Sequence, residues 1–167
     1  MKIVAASCSK IQQIDPQPVW STIKEEEPDV LMLLGDNIYL DRNRHKDPNK
    51  LRKELRELYS RQVNEHHFQE LINDLSARGA KLLVTYDDHD FIGNNRYGAD
   101  EEPELGEVAR EELLRAFSVP TTNGDIYSHT KTTLVDIVML DERFYRQSPE
   151  EARGDRDAIL GEKQWFW

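Results

Sequence analysis

Three short apolar runs organise the first half of the chain, and each is followed by side chains that can bind a metal ion. The runs and the residues after them are 3–6 with Cys8, 30–34 with Asp36, and 82–86 with the acidic segment 87–90. The middle run contains no polar residue, which is typical of a central strand covered on both faces. Ligands of open α/β proteins bind outside the carboxyl ends of parallel strands. The pattern therefore predicts a parallel sheet with a metal site at that edge.

Apolar positions at helical spacing fill the segments between and after these runs. They predict helices at 18–26, 51–63, 68–75 and 108–117, and a β-hairpin from 126–130 and 133–140. Gly79 and Pro120 follow the third and fourth helices, at positions where such residues end helices. The segments 41–50 and 93–104 are predicted to be polar loops. We find no internal repeat or low-complexity segment, and residues 1–167 are expected to belong to one α/β domain.

Composition restricts the partners that we expect. The formal net charge of -10 argues against a basic surface for nucleic acid. A phosphate-bearing substrate stays compatible with that charge, because carboxylates gathered around cations form a locally positive site. No apolar run approaches the ~20 residues of a membrane span, and no charged-then-apolar leader precedes the first run. The expected location is therefore cytoplasmic by default, without a membrane span.

The segment 35–39, Gly-Asp-Asn-Ile-Tyr, carries the first specific chemistry. Gly35 allows a sharp turn off the strand, and Asp36 offers oxygen ligands that can bridge two cations. Tyr39 follows one short turn later, and its phenolate suits Fe(III). The alternative is an ordinary turn with a capping Asp36 and a packed Tyr39. Cys8 is the only cysteine, so it is either a metal ligand or a free thiol, most commonly a buried one.

The segment 87–90, Asp-Asp-His-Asp, places three carboxylates around a histidine. Unpaired carboxylates are strongly disfavoured in a protein interior, so these are either solvated or hold a metal. His89 is the one histidine that lies among several carboxylates in the sequence, so it is the candidate for a chemical role. The other four are expected to be structural or on the surface: His45, His66, His67 and His129.

Together these segments resemble the alkaline phosphatase D (PhoD-like) metallophosphatases, within the calcineurin-like and purple acid phosphatase fold. The resemblance rests on five segments in order, which are 7–8, 35–39, 86–90 with 94–95, 140–146 and 160–165. It covers nearly the whole chain, and five ordered segments are far more specific than any one of them. The resemblance implies a four-layer αββα sandwich and a metal-dependent phosphoester hydrolase that uses metal-activated water.

The resemblance also implies the metals and their ligands. Fe(III) would lie beside one or two calcium ions, with another divalent metal as an alternative. Cys8 and Tyr39 are the implied iron ligands, and Asp36 would bridge between ions. Asp88 is the implied ligand of the second metal, and Asn94 is a further one.

Other residues receive roles by the same resemblance. His89 would contact the phosphate or protonate the leaving oxygen, and Arg143 would bind substrate. Arg143 and Asp141 would alternatively pair with each other or orient the site. Asp87 is a further ligand candidate. Tyr86 stands where the family is expected to have tryptophan, which should alter packing and leave ligation intact.

The end of the chain departs from the family pattern. In this fold the second half adds another β layer and a distal Gly-Asp-x-His-type segment, and residues 1–167 contain no such segment. The expectation is therefore the first half of a metallophosphatase domain, with exposed aromatics at 165–167. That surface favours self-association or a complementary second half. The alternative function is a catalytically silent or incomplete metal-binding fragment or interaction module. A calcium-binding domain without turnover is weaker, because Cys8 and Tyr39 are poor calcium ligands.

Overall fold

A parallel sheet forms the centre of the molecule, which confirms the predicted α/β class. The computed structural model describes residues 1–40, 46–119, 124–148, 150 and 158–167. The strands β1 (Ile3–Ala6), β2 (Val30–Leu34) and β3 (Lys81–Thr85) pair in parallel in the order β1-β2-β3. Ile3 pairs with Val30, and Val30 pairs with Lys81, so the three strands start level. Their carboxyl ends consequently meet at one edge.

The helices are α1 (Val19–Glu25), α2 (Pro48–Val63), α3 (His66–Arg78), α4 (Asp88–Phe91), α5 (Pro103–Phe117) and α6 (Gly161–Trp165). The four longest, α1, α2, α3 and α5, pack against one face of the sheet. The main core joins Leu31 and Leu33 of β2 with buried side chains of α1, α2, α3 and α5. Because side chains alternate along a strand, these two residues point to the same face of β2.

The sequence pattern misplaces two helix starts. Helix α2 begins at Pro48, inside the segment predicted as a charged loop, and α5 begins at Pro103, inside the second predicted loop. Proline suits the first turn of a helix, because its missing N–H would have no partner there. Asp47 caps α2 by accepting from the Asn49 N–H at 2.9 Å. Gly79 ends α3 in the left-handed region (φ +67°), as predicted. Pro120 lies outside the described residues.

The predicted hairpin is confirmed with shorter strands. Strands β4 (Ser128–Lys131) and β5 (Asp136–Met139) are antiparallel, with Ser128 opposite Met139. The Thr132 hydroxyl donates to the Val135 carbonyl at 2.6 Å and accepts from the Val135 N–H at 3.0 Å. These bonds close the turn that joins the two strands.

The second face of the parallel sheet is covered in part. Val30 and Leu83 pack with Ile137 and Met139 of β5 in a second, smaller core. Leu34, at the end of β2, is 44% exposed. The middle strand is thus covered on both faces at its start and open on one face at its end, which corrects the expectation of full cover.

The C-terminal aromatics are exposed, as expected. Trp165, Phe166 and Trp167 all lie in the exposed class. Trp167 nevertheless packs on Tyr127, with a distance of 4.8 Å between the ring centroids. In the described part of the chain, no helix is both long enough and apolar enough to traverse a bilayer.

Candidate metal centre

The three loops that leave the parallel strands are joined to one another by hydrogen bonds. The Cys8 N–H donates to the Gly35 carbonyl at 3.3 Å, and the Ser9 N–H donates to the Asp36 carbonyl at 2.9 Å. The Asn37 side chain donates through Nδ2 to the Thr85 carbonyl at 2.9 Å. The loops after β1 and β2 and the end of β3 are therefore joined at one edge, as the ends of the apolar runs predicted.

Two candidate ligands have unusual backbone conformations. Cys8 (φ 61°) and Asp36 (φ 53°) both occupy the left-handed region, which costs a residue with a Cβ about 1–2 kcal/mol. Gly35 has φ +105°, and a Cβ there would lie 2.6 Å from the Asp87 backbone nitrogen. Strained backbone concentrates at functional sites, where the surrounding structure holds it in place. The strain here falls on the turns that present ligand atoms.

Asp36 is the centre of the arrangement. Its Oδ2 lies 3.6 Å from the Cys8 Sγ and accepts from the Tyr39 hydroxyl at 3.0 Å. Its Oδ1 is buried and has no hydrogen-bond partner among the described residues. Buried polar atoms almost always have a partner, so an orphaned carboxylate oxygen in this position fits a cation.

Asp88 and His89 complete the cluster. One ligand atom from each of Asp36, Asp88 and His89 can be chosen so that all lie within 4.8 Å of one another. Asp36 and Asp88 are each only 8% exposed. Carboxylate, imidazole, thiol and phenol groups at one place make a donor set that suits a transition metal beside a harder cation.

Burial controls protonation at this centre. Burial raises the pKa of Asp36, with the nearby carboxylates of Asp88 and Asp87 adding to the rise and the Tyr39 hydrogen bond opposing it. Burial, with the hydrogen bonds to Cys8 and Asp36, raises the pKa of the Tyr39 phenol. Without a metal, the Tyr39 phenol therefore stays protonated, and its hydroxyl donates a hydrogen bond to Asp36. A bound cation would reverse both effects.

The imidazole of His89 is oriented by ring contacts. It packs on the Tyr39 ring with a centroid distance of 4.3 Å and an interplanar angle of 31°. The Lys10 Nζ lies 4.6 Å from the centroid of that same ring. His89 is half-buried, so its ring is fixed without being sealed from solvent.

Arg143 reaches this region, but its partner differs from one of the two expectations. Its Nε donates to the Asp87 Oδ1 at 2.6 Å, and its Nη2 contacts the same oxygen. Arg143 and Asp141 are joined through the Arg143 backbone, while the guanidinium pairs with Asp87. Asp141 accepts from the backbone N–H groups of Arg143 and Phe144, at 3.0 and 2.9 Å. The turn that these bonds form aims the guanidinium at Asp87.

A buried network behind Arg143 was not anticipated from the sequence. Asp141 is fully buried and accepts from the Tyr86 hydroxyl at 2.7 Å. The Gln164 side chain of α6 makes two hydrogen bonds to the backbone of Asp141. It accepts from the Asp141 N–H and donates to the Asp141 carbonyl, each at 2.8 Å. Burial raises the pKa of the Asp141 carboxyl. No local signal marks these partners, because they are distant in sequence.

Asp90 is the residue of the acidic segment whose surroundings differ most from the expectation of a solvated or metal-bound carboxylate. It is fully buried on α4 instead of solvated, and burial raises its pKa to about 7 while backbone N–H groups partly offset the rise. The Asp87 to Asp90 spacing forms a capping box. That spacing is a sequence signal that could have predicted its inward orientation.

The remaining candidates lie around this centre or away from it. Asn94 is exposed on the loop after α4, and its role as a ligand stays a prediction. The next residue, Asn95, donates its backbone N–H to Asp88. His66, His67 and His129 contact Glu70, Glu65 and Asp136 respectively, which agrees with structural or surface roles. His45 lies outside the described residues.

Comparisons with known proteins agree with the geometry. The family model described as PhoD-like phosphatase matches residues 3–167. A solved structure titled "Structure of PhoD" matches with a TM-score of 0.69 and 20% sequence identity, over 99% of this chain. The chain spans 37% of the length of that solved chain. No curated protein matches this sequence. The resemblance stated from the sequence motifs is confirmed, and the structural match supports the mixed α/β fold.

Proposed function

The chain belongs to the PhoD-like phosphatase family, and on that premise we propose that it is a metal-dependent phosphoester hydrolase. Family membership supports hydrolysis of phosphoesters, and metal dependence is the step that we add. The observation that carries this step is the Asp36, Asp88 and His89 cluster, together with the buried, unpartnered Oδ1 of Asp36. Two buried carboxylates so close together are costly without a cation between them.

The proposed ligands divide by chemistry. Cys8 and Tyr39, which both contact Asp36 Oδ2, would hold Fe(III), and Asp36 would bridge to a second ion. Asp88, with Asn94 as a further ligand, would hold one or two calcium ions or another divalent metal, since hard cations prefer oxygen ligands. When bound, such ions neutralise charge on the phosphoryl oxygens and acidify a bound water.

The protein side chains supply positioning and proton transfer. His89, fixed by its contact with the Tyr39 ring, would donate a proton to the leaving oxygen. Arg143 would bind the substrate phosphate, and its ion pair with Asp87 would then be exchanged for the phosphate oxygens. The half-buried position of His89 leaves a route for the substrate to reach it.

We also propose that residues 1–167 contribute the N-terminal part of a calcineurin-like αββα sandwich. The solved PhoD structure, of which the chain covers 37%, supports this proposal. The partly open second face of the sheet, next to the β4-β5 hairpin, is where a further β layer would pack. The candidate substrates are phosphomonoesters, phosphodiesters and phospholipids.

The test is metal reconstitution followed by a phosphatase assay. Protein loaded with iron and calcium should hydrolyse p-nitrophenyl phosphate or its bis diester above a metal-free blank, and should retain stoichiometric metal after gel filtration. Asp36→Asn and Asp88→Asn should lose both properties. Asp136→Asn, a change at an exposed carboxylate on β5, is the matched control and should behave as wild type. Retained metal without turnover would favour the silent metal-binding alternative, and absence of both would contradict the proposal.

A further inference from the structure

Asp90 has a role that the ligand set does not explain. It is 0% exposed, so its carboxylate lies deeper than those of Asp36 and Asp88. Burying a carboxylate is expensive unless donors surround it. Its nearest side-chain donor is the Tyr59 hydroxyl, at a long 3.5 Å from Oδ1. The short bonds that stabilise Asp90 come from the backbone.

The two oxygens of Asp90 bond to two different loops. Oδ1 accepts from the Ile38 N–H at 3.1 Å, and Oδ2 accepts from the Asp87 N–H at 3.1 Å. Ile38 lies between Asp36 and Tyr39 on the loop after β2. Asp87 immediately precedes Asp88 at the start of α4. One carboxylate thus spans both turns that carry the candidate ligands.

A backbone bond reinforces the same junction. The Leu40 N–H donates to the His89 carbonyl at 3.2 Å, so the two loops are also joined beyond Ile38. Both oxygens of Asp90 accept an amide proton, one from each turn. Asparagine would fill the same volume without the cost of a buried charge. However, it offers only one acceptor atom, and its NH₂ group would face one of the two amides.

We propose that Asp90 is a positioning residue that fixes the separation of the Asp36–Tyr39 turn and the Asp88–His89 turn, and thereby sets the affinity of the metal centre. This inference rests on the proposed function, because it assigns Asp90 to the same centre. Residues behind metal ligands typically change metal affinity or activity by about 10–100-fold when they are removed. Asp90 would belong to that class, because its bonds hold the backbone of the two turns that carry the ligands.

The experiment compares Asp90→Asn with wild type in two independent measurements. Mn²⁺ affinity is measured from the electron paramagnetic resonance signal of free ion, under reducing conditions because Cys8 is exposed. Hydrogen exchange of the Ile38 and Asp87 amides is measured without metal. We expect Asp90→Asn to weaken Mn²⁺ binding by about 10-fold or more. We also expect faster exchange at those two amides, relative to amides in the middle of α2.

A matched control separates positioning from general destabilisation. Glu112→Gln disrupts a buried ion cluster between α2 and α5, where Glu112 contacts Arg52, Arg56 and Arg115. It should lower the melting temperature while leaving Mn²⁺ affinity and the exchange of the Ile38 amide unchanged. If Glu112→Gln weakens Mn²⁺ binding as much as Asp90→Asn does, positioning by Asp90 is refuted.

The outcomes also distinguish this inference from the proposed function. Wild-type protein that binds no Mn²⁺ would count against the metal centre. Unchanged exchange of the Ile38 and Asp87 amides in Asp90→Asn would count against the proposed positioning of the two turns by Asp90. Equal Mn²⁺ affinity in Asp90→Asn and wild type would overturn the inference alone. If Asp90→Asn fails to fold, Asp90→Glu takes its place. The longer side chain reaches both amides only if the turns move apart, so wild-type affinity in that variant would also overturn it.

Discussion

Replacing Gly35 with alanine should lower stability and distort the candidate site, because the added Cβ would collide with Asp87. The added Cβ would lie 2.6 Å from the Asp87 Cβ and 2.6 Å from the Asp87 nitrogen. Those atoms belong to the backbone of the neighbouring loop or adjoin it, so they cannot rotate away. The positive φ of +105° adds strain for any residue with a Cβ.

The magnitude follows from two contributions. Left-handed backbone costs a residue with a Cβ about 1–2 kcal/mol, and forced overpacking costs about 1–3 kcal/mol. We therefore expect Gly35→Ala to lower the free energy of unfolding by about 2–5 kcal/mol. For a domain of this size, that corresponds to a fall of about 4–20 °C in Tm. The turn carrying Asp36 should also move away from Asp87, which weakens Mn²⁺ binding.

Gly79→Ala is the matched control. Gly79 also has positive φ (+67°), but a Cβ there would meet nothing within 4 Å. Both variants gain the same small benefit from a less flexible unfolded chain. The difference between their free energies of unfolding, measured by urea denaturation and circular dichroism, therefore isolates the contact with Asp87. Equal losses of stability in the two variants, or wild-type Mn²⁺ affinity in Gly35→Ala, would refute the reasoning.

Three further predictions concern individual side chains. Iron-loaded protein should show a visible tyrosinate-to-Fe(III) absorption band that Tyr39→Phe removes, and iron-loaded wild type without the band would exclude Tyr39 as a ligand. His89→Ala should lower turnover of bis(p-nitrophenyl) phosphate by ~10²-fold with metal content unchanged, whereas parallel loss of metal would make His89 a ligand. Tyr86→Phe should cost about 2 kcal/mol at a pH above the raised pKa of Asp141, where it removes a donor from the buried carboxylate. That cost should shrink as pH falls through the raised pKa of Asp141, because the Tyr86 hydroxyl bonds less strongly to a neutral carboxyl group than to a carboxylate. A cost that does not depend on pH would contradict this prediction.

The features predicted correctly from the sequence are those that local pattern encodes. The apolar runs identified all three parallel strands, and the residues after them identified the edge where Cys8, Asp36 and Asp88 meet. Gly79 marked a helix end because its left-handed conformation is a local property. Helix periodicity likewise depends only on neighbours along the chain, so the apolar faces of α2, α3 and α5 were recognisable.

The features that were missed depend on partners distant in sequence. The Arg143 guanidinium reaches Asp87, and Gln164 brackets Asp141, through contacts that no spacing along the chain reveals. The start of α2 at Pro48 was hidden by its charged residues, since polar helix surfaces resemble loops in composition. Asp90 combines both cases, because its bond to the Asp87 N–H belongs to a local capping box and its bond to the Ile38 N–H joins segments 52 residues apart.

The parallel pairing of the sheet has a consequence for how the protein folds. Ile3 pairs with Val30, and Val30 pairs with Lys81, so each ladder joins segments that are far apart along the chain. Pairings of this kind form slowly, because loop closure must be completed before their contacts contribute. The three loops of the metal centre leave these same strands, so their geometry should appear only in the last, cooperative step of folding. Metal binding during refolding should then coincide with formation of the native sheet, and early intermediates should bind metal weakly.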